Sequence, residues 1–240
     1  MSNRRKVVGE FVLIVVGVFA ALMLETTMSE RHDGELRTEY LLRIEADMAT
    51  DKQAIEYRIE FFTGVQQFSQ EFLDWLHSDA ALDQDVLLAA FYAAEVWPYA
   101  PGTSTYQDLR STGNFRLIEN IDLRTELFKY YNKADTSRPG WNPSDDYRRT
   151  IRGIIPSDIQ AQIRDACPTA DGEDLVPTGF PPCDLHEIDF ELMTTLMVPL
   201  RDDAVFQHIL TYRHSELGVM LRLFRQQVAS ADNVLDHVRD

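Results

Sequence analysis

The stretch Val7-Val8-Gly9-Glu10-Phe11-Val12-Leu13-Ile14-Val15-Val16-Gly17-Val18-Phe19-Ala20-Ala21-Leu22-Met23-Leu24 decides how this chain is read. It holds one charged residue, Glu10, and follows directly on Arg4-Arg5-Lys6. As a helix rising about 1.5 Å per residue it spans about 27 Å, near the lower limit for crossing a hydrocarbon core. The unbroken apolar part runs from Phe11 to Leu24, and the chain turns polar at once with Glu25-Thr26-Thr27-Met28-Ser29-Glu30-Arg31.

Three readings of the stretch compete. A cleaved signal peptide would use the small residues around Val18-Phe19-Ala20, but its apolar core after Glu10 would be shorter than usual. A buried core helix accounts for a short apolar run, yet not for its N-terminal place behind three basic residues. A retained single span accounts for both. The expected division is a basic cytoplasmic tail at residues 1–6, a transmembrane anchor at 7–27 and an extracytoplasmic domain at 28–240. Six residues before Val7 leave no cytoplasmic output domain in this expectation.

Charge sets the orientation. Arg4, Arg5 and Lys6 hold the start of the span in the cytoplasm, while the other flank mixes Glu25, Glu30, Arg31 and Asp33. The chain carries 23 Lys plus Arg against 39 Asp plus Glu, net −16. Three basic and two acidic residues fall in 1–27, which leaves net −17 on residues 28–240. An acidic domain of that charge is repelled by anionic lipid and by polyanions, so nucleic acid is excluded as a partner. The expected site is the bacterial inner membrane with the domain in the periplasm, and membrane lipid is the first partner.

Two cysteines are too few for a disulfide-dense scaffold or a four-cysteine zinc site. Cys167 and Cys183 enclose Pro168 to Pro182, a stretch rich in Pro, Gly, Asp and Thr with little capacity for apolar packing. In an oxidising compartment a bridge between them would remove about 3 kcal/mol of loop entropy from the unfolded chain. Two unrelated thiols remain the alternative.

The rest of the chain reads as helices. From Ser29 to His77, apolar residues at Leu41, Ile44, Met48, Ile55, Ile59, Phe62, Val65, Phe68, Phe72 and Leu76 recur every three or four positions. No proline precedes Pro98, so the membrane helix is expected to run outward, with bends at Gly34 and Gly64. Asp83 or Asp85 caps a helix from Val86 to about Val96, and Thr103 or Ser104 caps one through Ser111, closed by Gly113. Asn120 starts the next, with Leu123, Leu127 and Tyr130-Tyr131 on its apolar face. Thr136 to Asp146 reads as a loop, followed by helices at 144–155 and 157–166. A long last helix, 202 to about 238, carries a stripe from Phe206 through Leu210, Leu217, Met220, Leu221, Phe224, Val228, Ala231 and Leu235 to Val238. Strand signals are nearly absent, and no solenoid repeat is present. The fold class is all-α: a transmembrane helix, then a helical bundle with long first and last helices packed lengthwise.

Two segments resemble a family of uncharacterised bacterial single-span membrane proteins. The first is the anchor with Glu10, Ile14, Gly17 and Ala21-Leu22. The second is Tyr106-x-x-Leu109-x-Ser111-x-Gly113-x-x-x-Leu117-Ile118-x-Asn120, continuing Leu123-Arg124-x-x-Leu127-x-x-Tyr130-Tyr131. Together they cover about a fifth of the chain. The resemblance implies an anchored helical extracytoplasmic domain and adds no chemistry. Members often carry a Trp-Asn pair beyond the span, where this chain has Leu24-Glu25-Thr26-Thr27.

Candidate functional residues are few. Glu10 is costly inside lipid unless it is paired or at the interface. It either bridges to Lys6 at headgroup level or contacts a partner span. Gly17 and Ala21 form a small-xxx-small pair that lets two helices approach closely, which raises self-association. The histidines are scattered, His208 and His214 lying about 120° apart on a helix. Asp184-Leu185-His186-Glu187-Ile188-Asp189-Phe190-Glu191 offers hard ligands without a known metal spacing. Ser111-Thr112-Gly113-Asn114 reads as a helix cap that could also line a pocket. No nucleophile elbow, phosphate loop, dinucleotide fingerprint or zinc-protease helix occurs. The expectation is therefore no enzyme and no cofactor, but a membrane-anchored interaction scaffold or accessory subunit, working through a protein partner or a second copy. The alternative is a small-molecule sensing domain that signals through a partner; a periplasmic enzyme stands third.

Overall fold

The computed structural model describes the backbone of residues 2–141, 146–168, 170–171, 176–177, 179–186 and 188–239, and the side chains from residue 13 onward outside the short ladder at 170–177. Within these residues the chain forms eight α-helices: α1 (Ser2–Leu76), α2 (Gln84–Tyr92), α3 (Ser104–Thr112), α4 (Ile121–Trp141), α5 (Asp146–Ile154), α6 (Ser157–Ala166), α7 (Phe190–Met197) and α8 (Ala204–Arg239). A two-residue antiparallel ladder, β1 (Ala170–Asp171) with β2 (Val176–Pro177), lies inside the cysteine loop.

α1 and α8 run antiparallel, which the rungs between them record. Glu45 pairs with Arg239, Lys52 with Asp232 at 2.6 Å, His214 bonds Ser69, and Phe206 meets Phe72 edge-on. α4 lies against both. Its Tyr130 hydroxyl donates to Asp51 on α1, and Gln227 on α8 donates to the Tyr130 carbonyl. The expected lengthwise packing of the long first and last helices is therefore present, with α4 as the third member.

Three apolar clusters fill this arrangement in sequence along α1. Near its exit from the apolar segment, Tyr40, Ile44 and Met48 pack on Leu109, Leu123, Leu127 and Leu235. In the middle, Ile55, Phe62 and Val65 meet Trp141, Leu221 and Phe224. At the far end Phe72, Trp75 and Leu76 are closed over by α2, α5, α6 and α7, through Leu87, Phe91, Ile151, Ile163 and Met193. The second motif segment of the family resemblance thus builds the core nearest the apolar segment: Leu109, Leu117, Ile118, Leu123, Leu127, Tyr130 and Tyr131 are all buried.

Caps fall where side-chain chemistry places them. Asp83 accepts from the Val86 N–H, Asn120 from Asp122 and Leu123, and Asp203 from Val205 and Phe206. Gly113 closes α3 with φ +74°, a left-handed position that glycine occupies without a Cβ penalty. Thr103 precedes α3 without a side-chain cap bond.

Three expectations need correction. α2 stops at Tyr92, not near Val96, because Arg148, Arg152 and Arg213 take the carbonyls of Phe91, Ala93, Ala94 and Glu95. α4 continues to Trp141 through Pro139 where a loop from Thr136 was expected. The buried Trp141, stacked on Phe224 at 5.7 Å and edge-on to Tyr99, holds that last turn in place. α7 forms in a segment read only as acidic; Asp189 caps it by accepting from Leu192, and Met193 and Met197 anchor it. α1 is one continuous helix through Gly34 and Gly64, the outward run that the lack of proline before Pro98 suggested.

Gly64 has a different use. A Cβ there would lie 2.7 Å from Cε2 of Phe180, so the bare backbone is what lets that ring seat on α1.

Candidate functional site: an uncovered apolar segment and an acid-rimmed aromatic cleft

The first candidate is the beginning of α1. From Leu13, which is 76% exposed, through Ile14, Val16, Val18, Phe19, Leu22, Met23 and Leu24 to Met28, its large apolar side chains are uncovered. The most apolar window of this helix has no residue buried against the rest of the protein. Gly17 has nothing within 4 Å, and Ala21 is exposed as well, so their close-approach pair is open. The backbone of Glu10 belongs to α1, while its side chain lies outside the described residues. Among the described side chains, the first ion pair from α1 to the rest of the fold is Asp33 with Arg116 at 2.8 Å, joined one turn later by Arg37 and Glu119. Asp33 lies nine residues past Leu24, about 13 Å along the helix axis, so the folded body stands off from the apolar segment by that distance.

The second candidate is a cleft of about 520 Å³ between α1, α2 and the end of the cysteine loop. Cys167 and Cys183 are bonded, as the loop composition suggested, with Cα atoms 5.3 Å apart. The bridge fastens the loop to the end of α6. A second fastening comes from Gln84, whose amide donates to the Cys183 carbonyl and accepts from the Leu185 N–H. Between these ties Phe180 turns inward, stacking on Phe61 at 5.1 Å and meeting Phe68 and Tyr92 at 4.9 Å each. Phe68, Tyr92 and Phe180 form an aromatic floor, Pro181-Pro182 a wall, and Glu71 and Asp85 the acidic residues of the lining. Burial pushes the Tyr92 hydroxyl up to about 12, with Glu95 adding to the effect, so it stays a neutral phenol.

Other buried polar groups are explained by the fold. Asp51 accepts from the Gly102 N–H and the Tyr130 hydroxyl, each at 3.0 Å, which ties the 98–102 turn and α4 to α1. Its burial raises the carboxyl above the ordinary range, against those two hydrogen bonds. Arg152 lies over the Phe91 ring and pairs with Glu95, while Arg213 reaches the Ala93 and Glu95 carbonyls. Burial lowers both guanidinium groups, and their position at the C-terminus of α2 suits cations.

Ser69 and His214 lie 2.8 Å apart, which resembles the start of a nucleophile–base pair. Ser69 is fully buried, however, and its hydroxyl already donates to the Gln66 carbonyl at 2.7 Å. It therefore accepts from the histidine and packs α1 on α8.

The residues singled out from sequence do not converge. Gly17 and Ala21 belong to the uncovered segment, the Glu10 side chain lies outside the described residues, and Cys167 and Cys183 belong to the distal cleft. Glu71, Asp85, Tyr92 and Phe180 were not anticipated as a group. The available signal was Gly179-Phe180-Pro181-Pro182-Cys183, an aromatic held by a stiff pair beside a cysteine. No protein-family model, curated protein or solved structure matches this chain.

Proposed function

We propose that this chain is a single-pass membrane-anchored protein whose acidic helical domain stands on the extracytoplasmic side and acts through protein contacts, as a scaffold or accessory subunit. The observation that carries this reading is the uncovered run from Leu13 to Met28 on a helix that continues without a break into the core. Eleven apolar residues between Leu13 and Leu24 have no partner within the fold, and a lipid environment would remove that surface from water. Arg4, Arg5 and Lys6 then favour a cytoplasmic start.

A contact role is supported by what the domain leaves exposed. Val205 (70% exposed), Tyr212 and Val219 recur every seven residues on the outward face of α8, and Ile121 and Phe128 do so on α4. Single exposed apolar residues are ordinary; rows at helical spacing suit the anchors of an interface. The test is purification from native membranes with identification of co-purifying chains, comparing the protein with Tyr212→Ser/Val219→Ser. Loss of a specific partner supports the reading, whereas recovery of intact protein in the salt-washed soluble fraction contradicts it.

A second reading, small-molecule sensing through a partner, draws support from the distal cleft. It shares the anchor and differs in what the domain recognises.

A further inference from the structure

The geometry points to the distal cleft as a binding site for a small organic cation, an ammonium group carried on an aromatic or aliphatic body. The charge of the lining supports this first. Among the residues that form it, Glu71 and Asp85 are acidic and none is basic. Glu71 accepts a hydrogen bond from Gln67, which leaves its charge in place. Both carboxylates are exposed, and among the described residues neither forms an ion pair, so an entering cation meets acidic groups without first breaking one.

The floor supplies the second requirement. Phe68, Tyr92 and Phe180 lie with ring centroids 4.9–5.0 Å apart, and Phe68 and Phe180 keep part of their surface open. Aromatic faces attract cations through the ring quadrupole and also bury apolar substituents, which favours an organic ammonium over a hydrated metal ion. A volume of about 520 Å³ falls within the range that holds small ligands. Finally, the wall is fixed in advance. The disulfide, the two Gln84 hydrogen bonds and the seat of Phe180 on Gly64 hold the loop before any ligand arrives, which lowers the ordering cost of binding.

The test uses the full chain in phosphatidylcholine nanodiscs titrated calorimetrically with benzyltrimethylammonium. Binding should weaken at least about tenfold in Glu71→Gln/Asp85→Asn and severalfold in Phe68→Leu. A control, Glu60→Gln/Asp122→Asn, removes the same charge elsewhere and should change the affinity less than about twofold. Equal losses in the two charge variants would assign the effect to the net charge of the domain and overturn the site. No saturable heat with the unsubstituted chain up to about 10 mM would overturn it as well. Neither result bears on the membrane anchor, which is read by fractionation.

Discussion

The stretch of α1 from Leu13 to Leu24 and its stretch from Tyr40 to Leu76 are both rich in apolar residues, yet only the second is covered. Between Leu13 and Leu24 apolar side chains surround the helix, and all are exposed. Between Tyr40 and Leu76 most of them form one stripe, Leu42 and Tyr57 being exposed exceptions among Glu, Asp, Arg and Gln on the other face, and the stripe is buried against α4, α8 and the distal helices. The difference teaches that distribution around the axis, more than apolar content, separates a helix built for a protein core from one built for lipid.

The largest expected effect sets a phenylalanine from each region against the other. Phe72→Ala empties a fully buried site and should cost about 3–5 kcal/mol of domain stability, read by denaturant unfolding in micelles. Phe19→Ala should change the same measurement by less than about 0.5 kcal/mol, because nothing in the domain contacts it. Equal destabilisation would mean that the stretch from Leu13 to Leu24 packs on the domain after all.

Next comes the disulfide. Cys167→Ala/Cys183→Ala should lower domain stability by about 3 kcal/mol and leave membrane retention unchanged. A change in retention would tie the two regions together.

A glycine from each region gives a finer contrast. Gly64→Ala drives a Cβ into the Phe180 ring and should cost about 1–3 kcal/mol, while Gly17→Ala meets open space and should leave domain stability unaltered. Most of the Gly64 penalty should vanish in a Phe180→Ala background, a coupling that a double-mutant cycle measures.

The smallest effect is a pH dependence at Asp51. Burial raises its folded pKa above the unfolded value, so its stabilising contribution is complete below about pH 4 and is lost as pH rises through the folded value. Asp51→Asn should lack that decline, which shows as unfolding free energies converging toward the variant's, or falling below them, as pH rises from about 4 to 7.

The long helices were legible because each carries a period of three to four over many turns, and the caps at Asp83, Gly113 and Asn120 were legible because their side chains or backbone freedom act locally. Polar residues in the same register were harder to read. Asp51 sits three after Met48 and four before Ile55, Arg213 three after Leu210 and four before Leu217, and Gln227 three after Phe224 and four before Ala231. Their burial follows from the stripe; their partners, from the 98–102 turn, α2 and α4, do not. The end of α2 was misread for a related reason, since three arginines from distant segments stop it. Trp141 likewise extends α4 past Pro139 through contacts with Tyr99 and Phe224. The cleft joins residues from 68 to 183, and it is the bridge, the Gln84 hydrogen bonds and the Gly64 seat, none of them a periodic signal, that bring them together.

The account rests on the apolar start of α1 remaining in lipid with the domain beyond the bilayer. Fusing alkaline phosphatase, and separately a green fluorescent protein, after Asp240 reads this directly in a bacterial host. An active phosphatase and a dark fluorescent fusion, both retained in carbonate-washed membranes, are the predicted result; a bright fluorescent fusion with an inactive phosphatase would contradict it.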